Sequence, residues 1–158
     1  MKYSHFSSDP IEKVYDRSQD NNWHKPHGLW ISVDGADDWP EWCTAEDFID
    51  MDKQYHYAVL LHKNANILHL QNADEIRAFH RQWREEKPRI PKLDRYQIDW
   101  PKLANHYQGI IIAPYCWSMR LDMEVDWYYG WDCASGCIWD SSAIQSIDLI
   151  REPIKEAA

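Results

Sequence analysis

The segment 127–140, WYYGWDCASGCIWD, contains the side chains best suited to hold a ligand. It holds three of the ten tryptophans of the chain, two adjacent tyrosines and the carboxylate of Asp132. Consecutive aromatic residues beside Gly130 cannot all face one core, so at least one of them is expected to line a cleft or to be exposed. We expect Tyr129 to be among those that line it. The segment therefore predicts one wall of a pocket for a flat molecule.

Asp132 has two interpretations that the residues alone leave open. As a functional group, its carboxylate would face the pocket and stabilise positive charge there. As a structural group, it would cap the backbone turn at Ala134 and Ser135, which aspartates in loops often do. The two interpretations predict different surroundings for the same side chain.

Three short blocks follow one another along the chain: YSHFSS at 3–8, KPHGLWIS at 25–32 and SGCIWDSSAIQSIDLI at 135–150. In their order and spread they resemble the core of the ADP-ribosyltransferase-like superfamily. That resemblance implies a single α+β domain with a mostly antiparallel, split sheet and flanking helices, and it implies NAD as the ligand.

The resemblance also implies roles for individual residues. His5 matches the position at which the family's histidine hydrogen-bonds the ribose on the nicotinamide side of NAD, so it is a candidate for catalysis as well as binding. Trp39 or Trp42 would stack on nicotinamide. The second block supplies the remaining expected NAD-binding residues, Gly28, Leu29, Trp30 and Ser32.

The chain departs from the family's pattern at its catalytic acid. The transferases usually carry a glutamate just before the penultimate strand, where a carboxylate stabilises the cationic ribose more in the transition state than in the ground state. Ser135 stands at that position here. Asp132 lies three residues upstream and is the expected substitute, and Glu124 and Asp126 are further candidates.

The resemblance implies an NAD-dependent ADP-ribosyltransferase that acts on a macromolecular acceptor, either protein or nucleic acid. The chain also resembles small phage and bacterial accessory proteins, which implies a role as a toxin or in phage–host conflict. Two alternatives stay open. Ser135 favours a non-catalytic protein that binds a nucleotide on the same fold, and the net charge of −9 favours an acidic inhibitor of a nucleic-acid-binding partner.

The predicted elements place these residues on short strands and the loops between them. Hydrophobic runs and alternation predict strands at 2–8, 28–33, 56–63, 66–71, 109–113, 136–140 and 143–150. Capping residues and prolines predict helices at 11–15, 39–48, 73–86 and 100–107. In the third helix, Ile76, Phe79 and Trp83 share one face. Strands in groups with helices between them indicate α+β.

Composition bounds the remaining possibilities. With 158 residues and 44% hydrophobic content, the chain is expected to form one domain over residues 1–158. No apolar run approaches the roughly 18 residues of a membrane span, and the first residues lack a signal peptide's apolar stretch, so we expect a cytoplasmic protein without membrane contact. The negative charge opposes non-specific binding to phosphate backbones, although a small basic groove is compatible with the cluster Lys87, Arg89, Lys92 and Arg95.

Other catalytic classes lack their motifs. The chain has no glycine-rich phosphate loop, no HExxH and no GxSxG sequence. Its four cysteines have no zinc spacing, so we expect reduced thiols and no metal. A nucleophilic pair of Cys116 with one of the eight histidines stays an alternative without a local signature.

Overall fold

Seven strands form one mixed sheet in the computed structural model, which describes residues 1–156. Their bounds are β1 Tyr3–Ser7, β2 Leu29–Val33, β3 Tyr55–Leu61, β4 Ile67–Leu70, β5 Gly109–Ile112, β6 Ser135–Ile138 and β7 Ile144–Arg151. The order across the sheet is β4-β5-β6-β2-β1-β3-β7, and only the β4–β5 pairing is parallel. The result is one α+β domain with a mostly antiparallel sheet, as the sequence predicted.

The sheet is continuous, which differs from the expected division into two halves. It comes close to dividing at β1 and β2, which pair only through Tyr3 with Val33 and Ser4 with Ser32. On its other edge, β1 pairs with β3 along all five of its residues. Because β1 stays with β3 while β2 follows β6, the two strands separate after Ser4 and leave a cleft between them.

Three helices begin where the capping residues predicted. Their bounds are α1 Trp39–Ala45, α2 Ala73–Trp83 and α3 Trp100–Ala104. The side chains of Asp38, Asn72 and Asp99 each accept a hydrogen bond from a backbone N–H of the first turn. The fourth expected helix, at 11–15, is absent: this stretch has no regular structure, because so short a segment cannot repay helix nucleation without tertiary packing.

Tryptophans form the centre of the core. Trp127 is 1% exposed, and its ring packs edge-on against Phe79 of α2 at 5.6 Å and against Trp100 of α3 at 6.2 Å between centroids. Its indole N–H donates to Nδ1 of buried His80 at 3.1 Å. Trp127 belongs to the 3₁₀ segment Met123–Gly130, so part of the expected pocket wall serves the core. Among residues 1–156, no helix is both long and apolar enough to cross a membrane.

Candidate functional site

A cleft of about 310 Å³ lies where β1 and β2 separate, and we call it the Asp132 cleft. This volume is at the lower end of the range for small-molecule sites. Fourteen residues line it: Ser4, His5, Phe6, Lys25, Trp30, Ile31, Ser32, Trp39, Ile49, Gln54, Trp131, Asp132, Cys133 and Ser135. The lining joins all three sequence blocks with the start of α1 and the segment that precedes β6.

Asp132 faces this cleft and does not cap the turn that follows it. Among residues 1–156 its carboxylate accepts no hydrogen bond, and the backbone N–H of Ala134 donates to the carbonyl of Asp37 instead. Burial raises the pKa of Asp132 from its ordinary value, partly offset by Lys25 and Arg120. The side chain is therefore a partly buried carboxylate that accepts no hydrogen bond within residues 1–156.

Arg120 supports Asp132 from outside the cleft lining. One of its guanidinium nitrogens lies 3.9 Å from an Asp132 oxygen and donates to the hydroxyl of Tyr115 at 2.8 Å. The guanidinium also lies 5.3 Å from the ring centroid of Tyr129. An opposite charge at this range favours the ionised carboxylate.

His5 bridges the two strands where they separate. Its Nδ1 lies 2.6 Å from the backbone oxygen of Trp30. A carbonyl oxygen only accepts, so Nδ1 carries the proton and Nε2 of the neutral ring is an acceptor. Burial lowers the pKa of His5, which favours this neutral form, although the bond to Trp30 opposes the shift. A ligand hydroxyl is a suitable donor to Nε2.

Two stacked tryptophans form the aromatic side of the cleft. Trp39 lines it, and Trp42 lies behind Trp39 with 5.1 Å between ring centroids and 14° between planes. Phe48 packs edge-on against both rings. The α1 helix thus supplies one indole ring to the cleft lining, supported by Trp42 and Phe48, and Trp42 itself stays outside the lining.

Ser32 and Ser135 lie side by side across β2 and β6 and have different partners. Ser32 accepts a hydrogen bond from the backbone N–H of Trp39 at 2.9 Å, which ties the start of α1 to the sheet. Ser135 donates to the carbonyl of Cys133 at 3.0 Å. Ser135, at the position where the resemblance would place a glutamate, is therefore a buried hydroxyl that is already hydrogen-bonded to a neighbouring residue.

The remaining predicted residues lie away from the Asp132 cleft. Gly28 and Leu29 do not line it. A Cβ at position 28 would lie 2.4 Å from the carbonyl oxygen of Ile138, so the close approach of the backbones requires a glycine there. Tyr129 is 56% exposed and does not line the cleft. Glu124 and Asp126, the other candidate acids, form ion pairs with arginines outside the cleft.

The sequence interpretation missed several residues that line the cleft. Lys25 is the most consequential, because its charge influences Asp132 and its ammonium lies 5.3 Å from the ring centroid of Trp30. Its place in the KPHGLWIS block was a usable signal. Gln54 reaches the cleft from the start of β3, and nothing in its local sequence indicated that position.

The cleft contains one cysteine, and it is buried. Cys133 lines the cleft, but burial raises the pKa of its thiol to about 12, which keeps it protonated and weakly nucleophilic. All four cysteines are free thiols. Within residues 1–156, no group of three or more His, Cys, Asp or Glu side chains is arranged to bind a metal ion.

The histidines predict how stability depends on pH. Burial is the main cause that lowers the pKa of His5, His24, His56, His69 and His80. Below about pH 6.5 the unfolded chain therefore binds more protons than the folded protein, so the free energy of unfolding falls as the pH falls.

We expect the urea midpoint to decrease between pH 7.5 and pH 5.5. His80→Gln should flatten this dependence, because protonation of His80 Nδ1 breaks its bond to Trp127. A midpoint that is constant across this range would contradict the assignment of neutral, desolvated histidines.

Comparisons with known proteins leave the family undetermined: no protein-family model, no curated protein and no solved structure matches the chain. The fold and the site define the protein only as one α+β domain whose sheet opens onto an aromatic cleft with one available carboxylate.

Proposed function

We propose that the Asp132 cleft binds the nicotinamide–ribose half of NAD and that the protein transfers ADP-ribose to a macromolecular acceptor. The observation that carries this proposal is the placement of Asp132: its carboxylate caps no turn and faces the same cleft as His5 and Trp39. The resemblance implies roles for His5 and for Trp39 or Trp42, and Asp132 is the substitute expected where Ser135 replaces the glutamate; these side chains come from separate parts of the sequence.

The cleft fits one flat ring with its sugar. The supported face of Trp39 suits a planar aromatic amide, and His5 Nε2 suits a ribose hydroxyl. A volume of about 310 Å³ has no room for a whole dinucleotide, so the adenylate half would lie outside.

The chemistry needs a carboxylate more than it needs a proton donor. When the bond between ribose C1′ and the nicotinamide nitrogen breaks, its electron pair leaves with neutral nicotinamide, and positive charge develops on the ribose. A negative group nearby stabilises that charge in the transition state. A nucleophile of the acceptor then bonds to C1′ and releases its proton to solvent. Asp132 is assigned the role of stabilising the cation, and His5 and Trp39 position the ribose and the ring.

Ser135 favours a second candidate function. A hydroxyl bonded to Cys133 cannot supply the negative charge that a glutamate would supply at that position. If Asp132 does not replace it, the cleft holds a nucleotide without cleaving it, and the protein sequesters that nucleotide.

A melting experiment with NAD separates these functions. NAD at 100 times its Kd stabilises a folded protein that binds it by about 2.7 kcal/mol. A raised Tm together with release of nicotinamide supports the transferase, and a raised Tm without release supports the binder. If neither NAD nor any other nucleotide changes the Tm, both proposals fail, and the acidic surface becomes the feature to study.

A further inference from the structure

A second cleft adjoins the Asp132 cleft and shares Lys25 and Trp30 with it. It has a volume of about 460 Å³ and lies along the loop between β1 and β2. Its other charged or aromatic lining residues include Arg17, Asp20 and Trp23. We call it the Trp23 cleft. Because Lys25 borders both spaces, a molecule in the Trp23 cleft lies next to a ligand held beside Asp132.

Two cationic side chains, Arg17 and Lys25, line the Trp23 cleft. The side chains of Arg17 and Lys25 form no ion pair and no hydrogen bond within residues 1–156. Six other arginines are paired with carboxylates: Arg77, Arg81, Arg89, Arg95, Arg120 and Arg151. In a chain with a net charge of −9, two unpaired cations facing one cleft are well suited to bind an anion.

One carboxylate opposes this charge. Asp20 also lines the cleft, and one of its oxygens lies 3.4 Å from His27 Nε2. Its other oxygen accepts the backbone N–H of Asn22 at 2.9 Å, a bond that helps to lower the pKa of Asp20. Asp20 therefore stabilises the loop to which it belongs, and its negative charge weakens the binding of an anion in the cleft.

Aromatic surface lies beside the cations. Trp23 is 56% exposed, and its ring lies 4.5 Å from the ring of His24 between centroids. Trp30 is half-buried and carries the Lys25 ammonium near its face. The exposed indole ring of Trp23 next to unpaired cations combines a surface for base stacking with contacts for a phosphate.

The loop that holds these groups is ordered by its own polar side chains. Gln19 donates to the carbonyl of His27 at 2.6 Å and accepts the backbone N–H of His27 at 2.9 Å. Asn21 hydrogen-bonds the side chain of Asp99 and the backbone N–H of Trp100. The wall of the cleft is therefore formed before a ligand arrives, which lowers the entropy lost on binding.

We propose that the Trp23 cleft binds a nucleotide of a single-stranded nucleic acid, with its phosphate between Arg17 and Lys25 and its base on Trp23. The claim that this strand is the acceptor of ADP-ribose rests on the proposed function. The claim that the cleft binds a strand does not. Two cations on an acidic protein suit a short single strand, since duplex binding needs a broad basic face.

Fluorescence anisotropy with labelled eight-nucleotide RNA and DNA strands tests this inference over a series of salt concentrations. Two phosphate-neutralising contacts predict a slope of log K against log salt of about −1.4, and Arg17→Gln should halve it. Trp23→Ala should weaken binding about 5- to 150-fold. Asp20→Asn should strengthen binding, and Lys63→Gln, which alters an exposed cation between β3 and β4, should leave the affinity unchanged.

Three results would overturn the inference: no strand binding, binding unaffected by Arg17→Gln and Trp23→Ala, or equal competition by ADP-ribose, which would assign the cleft to the other half of NAD. The outcome is separable from that of the proposed function. If the Arg17 and Trp23 variants lose strand binding but release nicotinamide at the normal rate, the Trp23 cleft binds the strand and takes no part in cleaving NAD. Strand binding by a protein that never releases nicotinamide contradicts only the enzymatic proposal.

Discussion

Asp132→Asn is expected to reduce the rate of nicotinamide release from NAD by about 10²- to 10³-fold, the effect of removing one preorganised electrostatic contact to a transition state. Asparagine keeps the shape and loses the charge, so the Kd for NAD should change little while kcat falls. The same substitution should leave the Tm unchanged or raise it, because burial raises the pKa of Asp132 and thereby destabilises its ionised form.

Single-turnover kinetics and a melting curve measure both effects on one preparation. Glu124→Gln is the matched control, since Glu124 is ion-paired with Arg81 outside the cleft and should not affect release. Equal rates in Asp132→Asn and the unsubstituted protein would remove Asp132 from the mechanism. A rate lost only in Glu124→Gln would place the acid elsewhere.

Trp127→Ala is expected to lower the free energy of unfolding by about 3–5 kcal/mol, the range for removing a large aromatic side chain from a core. Trp127 lies between Phe79 and Trp100, and its loss also leaves buried His80 without its hydrogen-bond partner. Domains of this size are stable by roughly 5–15 kcal/mol, so the change removes a large part of the total.

Urea denaturation of Trp127→Ala and Trp23→Ala measures this effect with its control. Trp23 is exposed at the loop between β1 and β2, so its removal should change stability by no more than about 0.5 kcal/mol. Equal destabilisation by the two substitutions would contradict the core position of Trp127.

Most of the fold follows from local sequence signals. Asp38, Asn72 and Asp99 each precede a helix that begins as predicted, because a cap and an early proline act within one turn. The run at 109–113 is correctly predicted as a buried strand, and Ile76, Phe79 and Trp83 are buried together as their spacing indicated. What local signals could not supply is the order of strands, which depends on contacts between distant segments.

The site shows the same division. His5, Ser32, Trp39 and Asp132 line one cleft, although the residues alone left the direction of Asp132 open. Trp127 and Tyr128 were expected to contribute to a pocket wall and instead pack into the core, because an aromatic run does not reveal which face each ring takes. The Trp23 cleft could not be predicted from the sequence, because the structure is needed to show which cations have no ion-pair partner.

Ligand-observed NMR tests the central claim most directly. With NAD in excess over the protein, saturation of the protein should be transferred more strongly to the nicotinamide protons than to the adenine protons, because the nicotinamide ring is assigned to Trp39. Trp39→Ala should abolish that difference. Stronger transfer to adenine, or none to either ring at millimolar NAD, would contradict the assignment of the Asp132 cleft to the nicotinamide–ribose half.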